Sequence, residues 1–405
     1  MQFRGCGMEF TIHHQVLGLV FLIAVVLGAV ANKTNFCTMG AVSDWVNIGD
    51  TGRMRAWLFA MAVALFGVLA MEGAGVLALP PDTFPPYRTA NFAWLRYVLG
   101  GVLFGIGMTL GSGCGNKTLV RIGGGNVKSV MVLVIASIGA YLMLWGDIKG
   151  EGFFEVVFNS WMAPTAIDLT KHGIASQELS AVVAGVSGAT SANLHFIIGA
   201  ILVAVLLIFV FKSADFRGSF DNILGGLTVG LAVIAGWYVT GGPLGAAWKE
   251  YAELATEIPS RVNVQSYTFI SPMGDSVRYL MTPSNYTLIN FGVVALVGVI
   301  IGSFLYALLF RKFRIEWFAS GKDFVSHAVG GALMGIGGVL SMGCTIGQAV
   351  TGVSTLAVGS ILTFLAIVFG SALTMKVQYY LMDEQGVLGA LRSAFADLHL
   401  LPRKA

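Results

Sequence analysis

Nine long stretches of mostly apolar sequence punctuate this chain, near 15–34, 54–79, 95–111, 127–146, 193–212, 221–241, 288–310, 325–341 and 355–377. The hydrocarbon core of a bilayer is crossed by a helix of about 20 apolar residues, so each stretch is a candidate span. The third and eighth are short and glycine-laden. The runs are continuous rather than alternating, which excludes the strands of a membrane barrel. Charged residues are 11% of the 405, against roughly 25% in a soluble domain. Too little charge is present to cover a soluble surface, and 56% hydrophobic residues exclude disorder, which needs low hydrophobicity. The expected fold is an all-α polytopic membrane protein of about nine transmembrane helices.

Several functions drop out on composition. Net charge is +3 without a basic block, so nucleic acid is not a partner. Cys6, Cys37, Cys114 and Cys344 show no C-x-x-C and no Cys/His pair at metal spacing, so no metal or other cofactor is expected. There is no nucleophile–base pair and no H-E-x-x-H. Gly123-Gly124-Gly125 precedes Asn126 without a phosphate-loop pattern, which removes an ATPase. Uptake driven by an existing gradient, or passive flow, is left, with the lipid bilayer as partner.

Lys and Arg set the sides. The N-terminus and the loops after the second, fourth, sixth and eighth spans carry eight of them; the other side carries sixteen. The richer side is expected to be cytoplasmic, with the N-terminus outside and the C-terminus inside an inner membrane. Arg4, the apolar run Val16 to Val30 and Ala29-Val30-Ala31 resemble a signal peptide, but the run is long enough to span and Lys33 follows it. The outer segments are then 147–192 and 242–287. The second holds Trp248, Tyr251, Tyr267, Phe269 and Tyr279, which fits interfacial helices or a re-entrant piece.

An internal repeat refines this. Tyr97–Cys114 (YVLGGVLFGIGMTLGSGC) and His327–Cys344 (HAVGGALMGIGGVLSMGC) match at nine of eighteen positions with a constant offset of 230. A weaker match sets Cys37-Thr38-Met39-Gly40 against Ser271-Pro272-Met273-Gly274. One linking span between the halves makes the repeat inverted, about an axis in the membrane plane. The expected organisation is a first half over 1–146, a connector over 147–220, a second half over 221–380 and a cytoplasmic tail over 381–405.

The repeat ends where chemistry is expected. Gly111-Ser112-Gly113-Cys114-Gly115-Asn116-Lys117-Thr118 and Ser341-Met342-Gly343-Cys344-Thr345-Ile346-Gly347-Gln348 interrupt apolar runs at matched places. Irregular backbone at membrane depth is tolerated inside protein or along a wet cavity. A helix restarting there aims free N–H groups at an anion. Cys37 ends the first span in a similar setting. The substrate path is expected along Cys37, Cys114 and Cys344, with Gly113, Gly115, Asn116, Lys117, Gly343, Thr345 and Gln348 in support. A lone membrane cysteine is more often plain packing, as read for Cys6. Lys117 and Arg121 are either an anion lure or ordinary positive-inside residues. Glu72 is functional or snorkels from the outer end of its span, and His195 and His327 read as interfacial.

At these residues the chain resembles the YeeE/YedE family of membrane proteins, whose studied members import thiosulfate. The motifs are GSGCGNKTLVRIGGGN (111–126), GGALMGIGGVLSMGCTIGQAVTG (330–352) and NKTNFCTMGA (32–41). The resemblance implies an hourglass-like helical fold with cysteine-bearing loops at its waist, and functional cysteines at 37, 114 and 344. It leaves open other sulfur or selenium species, and a sulfur-carrier or sulfurtransferase protein as a cytoplasmic partner. A membrane thiol oxidoreductase or sulfurtransferase is the alternative; it needs a reactive thiolate and a resolving cysteine.

Overall fold

The computed structural model describes residues 11–81, 83–188, 193–398 and 400. Among them, nine helices are long and apolar enough to cross a membrane. The chain begins with α1 (Ile12–Lys33), α2 (Thr38–Ser43), α3 (Gly52–Gly73), α4 (Trp94–Leu110), α5 (Gly115–Gly123) and α6 (Val127–Trp145). A connecting stretch holds α7 (Ser160–Met162), α8 (Leu179–Ser187), α9 (Leu194–Phe211) and α10 (Ala214–Gly218). Then follow α11 (Phe220–Gly241), α12 (Pro243–Leu254), α13 (Ile270–Met281), α14 (Phe291–Leu309), α15 (Gly321–Leu340), a π-helical Ile346–Gly352, α16 (Val358–Met382) and α17 (Val387–Asp397). The spans are α1, α3, α4, α6, α9, α11, α14, α15 and α16, α1 continuing through its break into α2 and α4 into α5. Their outward faces are apolar, as at Leu22, Phe66, Ile138, Ile201 and Ile208, which suits lipid. Both short, glycine-laden runs form full helices.

Glycine sets how closely these helices approach. A Cβ on Gly107 would sit 2.7 Å from the Gly330 carbonyl oxygen, and one on Gly337 would sit 2.8 Å from the Gly100 carbonyl oxygen. Gly100 and Gly330 are matched in the repeat, as are Gly107 and Gly337. The two matched helices therefore pack antiparallel with exchanged roles. Gly101 and Gly105 press on Thr363 to Ser371 of α16, as Gly331 and Gly335 press on Val132 to Ala136 of α6. In the same way α1 packs on α14, and α11 on α3. The second set of helices thus repeats the packing of the first with its direction reversed. These contacts make α4 parallel to α16, and α6 parallel to α15, as alternate crossings by nine spans require.

The segments between spans are built pieces. A two-residue antiparallel ladder pairs Asn91–Phe92 with Ile167–Asp168. In 242–287, α13 re-enters the protein: Ile270 to Asp275 are buried. Trp248, Tyr267 and Phe269 are fully buried rather than interfacial, and the Tyr267 hydroxyl donates to the Val20 carbonyl at 2.9 Å. α1 is an integral part of the bundle, with Val16, Val20, Ala24 and Leu27 buried.

Glu72 does not snorkel. Its carboxylate accepts from Arg88 at 2.8 Å and meets the Nε2 of His195 at 2.9 Å, while the Nδ1 of His195 meets Glu178 at 2.6 Å. Burial pushes the Glu178 carboxyl up, but His195, Arg88 and Ser180 outweigh it and hold it below the usual carboxylate range. Arg88 also donates to the Thr355 carbonyl at 3.1 Å. This cluster ties α3, α8 and α9 to the segment after Ile346–Gly352. His327 lies in the second turn of α15, which starts at Gly321, and is buried against protein with Nδ1 2.8 Å from the Asp323 carbonyl oxygen. Removing one partner of a buried ion pair costs about 3 kcal/mol or more. Arg88→Met should therefore lower the thermal midpoint of the purified protein clearly, and an unchanged midpoint would show that the cluster is dispensable.

Candidate functional site

Three helix ends carry the three described cysteines, and all are built alike. At α1, Asn35 is left-handed (φ 52) and Phe36 N–H returns to Ala31 C=O at 3.2 Å. At α4, Ser112 is left-handed (φ 58) and Gly113 N–H returns to Met108 C=O at 2.8 Å. At α15, Met342 is left-handed (φ 61) and Gly343 N–H returns to Gly338 C=O at 2.7 Å. These are Schellman ends. Each cysteine lies two residues past the left-handed position, and a new helical segment starts directly after it. The reversal is not made by the neighbouring glycines. Ser112 and Met342 hold a conformation that costs a side-chain-bearing residue about 1 kcal/mol or more, strain of a kind found at functional sites.

At two of the restarts the sulfur caps a backbone donor: Gly40 N–H lies 3.5 Å from the Cys37 sulfur, and Gly347 N–H lies 3.5 Å from the Cys344 sulfur. The donor is three residues on in both, as for a helix N-cap; Cys114 holds the N-cap position of α5 without such a bond from its side chain. Ser271, the sequence match for Cys37, is placed differently: it lies inside α13, two residues past the N-cap Phe269.

The breaks converge. Cys37, Thr38 and Thr345 are the neighbours of the Cys114 side chain. A Cβ on Gly115 would lie 3.8 Å from the Cβ of Cys344. Cys114 is thus the middle member of a buried row, with Cys37 on one side and Cys344 on the other. The thiol nearest that of Cys114 is Cys37's, not its partner in the repeat. All three are free thiols; Cys6 lies outside the described residues.

Around the row, polar side chains lack partners within the protein. Both amide atoms of Asn116, the hydroxyl of Thr38 and that of Thr268, and Oε1 of Gln348 are buried without a hydrogen bond, and the Thr345 hydroxyl has only the Cys114 sulfur beside it. Buried polar groups are nearly always paired, so this concentration beside three helix N-termini is a built polar lining. Asn116, Thr345 and Gln348 were expected from sequence. Thr38 and Thr268 were not: Thr268 is far in sequence and is placed by α13, where a Cβ on Gly347 would sit 2.4 Å from its hydroxyl oxygen.

The remaining predicted residues brace the turns. Lys117 Nζ donates to the side chain of Asn35, and Arg121 donates to the Ser112 carbonyl at 2.6 Å. Gln348 Nε2 donates to the Ser341 carbonyl at 2.5 Å. Gly113 and Gly343 let the stems of Lys117 and Gln348 lie close, where a Cβ would meet each Cγ at 3.2 Å. Tyr87, between α3 and α4, adds a bond, its hydroxyl donating to the Gly347 carbonyl at 2.6 Å. Among the described residues no cluster of His, Cys, Asp and Glu could hold a metal ion.

Comparison with known proteins agrees with this architecture. A thiosulfate transporter, TsuA, of Escherichia coli (strain K12) is 24% identical over 347 residues, covering 81% of this chain and 84% of that protein. A thiosulfate transporter, TsuA, of Spirochaeta thermophila is 23% identical over 355 residues, covering 86% of this chain and 95% of that protein. The family model described as sulphur transport matches residues 33–373. With most of its length matched by that model, the chain belongs to the sulphur transport family of membrane proteins.

Proposed function

We propose that this protein imports thiosulfate, or a closely related inorganic sulfur anion, along Cys37, Cys114 and Cys344. The observation that carries the reading is the set of buried, unpartnered polar atoms at Thr38, Asn116, Thr268, Thr345 and Gln348 around three free thiols. Thiosulfate is a dianion with one soft terminal sulfur. A neutral thiol gives it a weak S–H donor and a polarizable surface, whereas a thiolate would repel it. Restarted helices add N–H groups and the positive end of the dipole without a strong Arg clamp. A passing ion needs such sites, which bind and release. The reading includes an orientation with the N-terminus outside and the C-terminus cytoplasmic, which a reporter fused after Ala405 tests.

Uptake of labelled thiosulfate by liposomes carrying the purified protein is the direct test, with product analysis showing whether the S–S bond stays intact. Asn116→Leu sharpens it. Exchanging a buried, unpartnered amide for an apolar side chain of similar size is close to neutral for the fold. If the amide serves the anion, uptake should fall about tenfold, the loss of one good hydrogen bond, at an unchanged thermal midpoint. Wild-type uptake by Asn116→Leu would remove Asn116 from the path.

The closeness of Cys37 to Cys114 favours one second reading, a membrane thiol oxidoreductase or sulfurtransferase. Release of sulfite from thiosulfate, with sulfur retained on the protein, would establish it in place of transport.

A further inference from the structure

We propose that Arg96 is the cation of a separate binding site for a small dianionic oxoanion, in a cavity that leads to the Cys344 break from the face where α4 begins. Naming that anion as the transported species rests on the reading above; the site itself does not.

The cavity measures about 370 Å³, room for a small anion with part of its hydration shell. Phe84, Phe154 and Glu155 line its sides with Arg96, and Ser271 and Met342 line it as well. Met342 is the left-handed residue two before Cys344. Ser271 lies in the first turn of α13, two residues past its N-cap Phe269. An anion held here is beside the last turn before the cysteine row.

Arg96 is placed as a ligand rather than as a strut. Its Nε is buried without a hydrogen bond. Among the described residues it has no carboxylate within ion-pair distance, whereas Arg88 is paired with Glu72 at 2.8 Å and Arg261 with Asp275 at 2.7 Å. The guanidinium carbon lies 4.4 Å from the centre of the Phe154 ring. A guanidinium stacked on a ring keeps its planar fork of donors free for an oxoanion. Arg96 is also the third residue of α4, a helix end where the dipole disfavours a cation and favours an anion. Its charge therefore does nothing for the helix. Glu155 shares the cavity, its Oε2 held by Asn159 at 2.6 Å; its negative charge weakens the hold on an anion, as a site that must release requires.

The test is equilibrium binding of labelled thiosulfate, and separately of sulfate, to the purified full chain, alongside liposome uptake. Arg96→Gln should weaken binding about tenfold, as for loss of a charge-assisted hydrogen bond, and raise the half-saturating concentration for uptake with the maximal rate nearly unchanged. Arg96→Lys, which keeps the charge, should recover part of the loss. Glu155→Gln should tighten binding, a change of opposite sign that a structural role does not produce. Sulfate bound as tightly as thiosulfate also fits, since the class is a dianionic oxoanion. A folded Arg96→Gln protein binding like wild type overturns the proposal, as does a Glu155→Gln protein that binds more weakly. If Arg96→Gln fails to fold, Arg96→Lys and Glu155→Gln decide. The expected binding pattern in a protein that takes up nothing would sink the transport reading and leave the site standing. An Arg96→Gln protein that binds and takes up thiosulfate like wild type would do the reverse.

Discussion

Liposomes carrying Cys114→Ala should take up thiosulfate at no more than about a tenth of the wild-type rate, the penalty for losing one charge-assisted hydrogen bond in the path. Cys114 is fully buried and is the thiol that neighbours both Cys37 and Thr345. Alanine removes the S–H donor and the soft surface together. Serine keeps a donor, but its smaller, harder oxygen will settle on the neighbouring Lys117 and Thr38 N–H groups. Both variants should fold normally, because the left-handed turn at Ser112 and its Schellman bonds do not involve the side chain of Cys114. Cys344→Ala should match Cys114→Ala. Cys37→Ala should be as severe, since Cys37 occupies the same place two residues past a left-handed turn. Cys6→Ala should leave uptake intact. Alkylation should block uptake, and excess thiosulfate should slow alkylation. A triple Ala variant at normal expression and wild-type rate would end the cysteine-path mechanism.

How much of this was readable beforehand depends on the range of the interactions. Spans are set by local composition, so the nine apolar runs were found nearly in register with the helices; the ends moved where a span continues past its apolar core, as α15 does back to Gly321 and α16 to Met382. The match between Tyr97–Cys114 and His327–Cys344 was legible because both copies must fit backbone against backbone, and few residues but glycine allow that. Cys37 had no such copy. Its structural equivalence to the other two cysteines is a matter of φ at Asn35, Ser112 and Met342, three unrelated residue types in one conformation, so the internal repeat does not reveal it; only its place past a span end and the family resemblance pointed to it. The closeness of Cys37 to Cys114, the approach of Thr268 to Gly347 and the pairing of Glu72 with Arg88 and His195 join residues far apart in the chain. They follow from the packing, and nothing local in the sequence announces them. Arg96 was visible only as one charge on the sparser side of the Lys/Arg count; its lack of a partner is a property of the fold.

The second large effect is expected at the glycines that bring α4 and α15 together. Gly107→Ala and Gly337→Ala should both destabilise the protein, and to similar extents. Each adds one methyl group, which in an open helix position would stabilise by about 1 kcal/mol. Here a Cβ on Gly107 would sit 2.7 Å from the Gly330 oxygen and the Met334 nitrogen, and one on Gly337 would sit 2.6 Å from the Phe104 nitrogen. The obstructing atoms are backbone, so no side chain can swing away and the helices must separate. Overpacking of a tight core costs about 1–3 kcal/mol, and larger side chains such as Gly107→Leu should prevent recovery of a monodisperse protein altogether. The equal cost follows from geometry: Gly107 is to Gly330 what Gly337 is to Gly100 in the reversed repeat. Gly18→Ala in α1 is the control, since nothing lies within 4 Å of its added Cβ, and it should be neutral or slightly stabilising. Because α4 and α15 each end in a cysteine turn, pushing them apart moves the Cys114 and Cys344 breaks relative to one another. Uptake should therefore fall in Gly107→Ala and Gly337→Ala even in the fraction that remains folded. A Gly107→Ala protein with the wild-type thermal midpoint and uptake rate would show that α4 and α15 are not held at backbone contact.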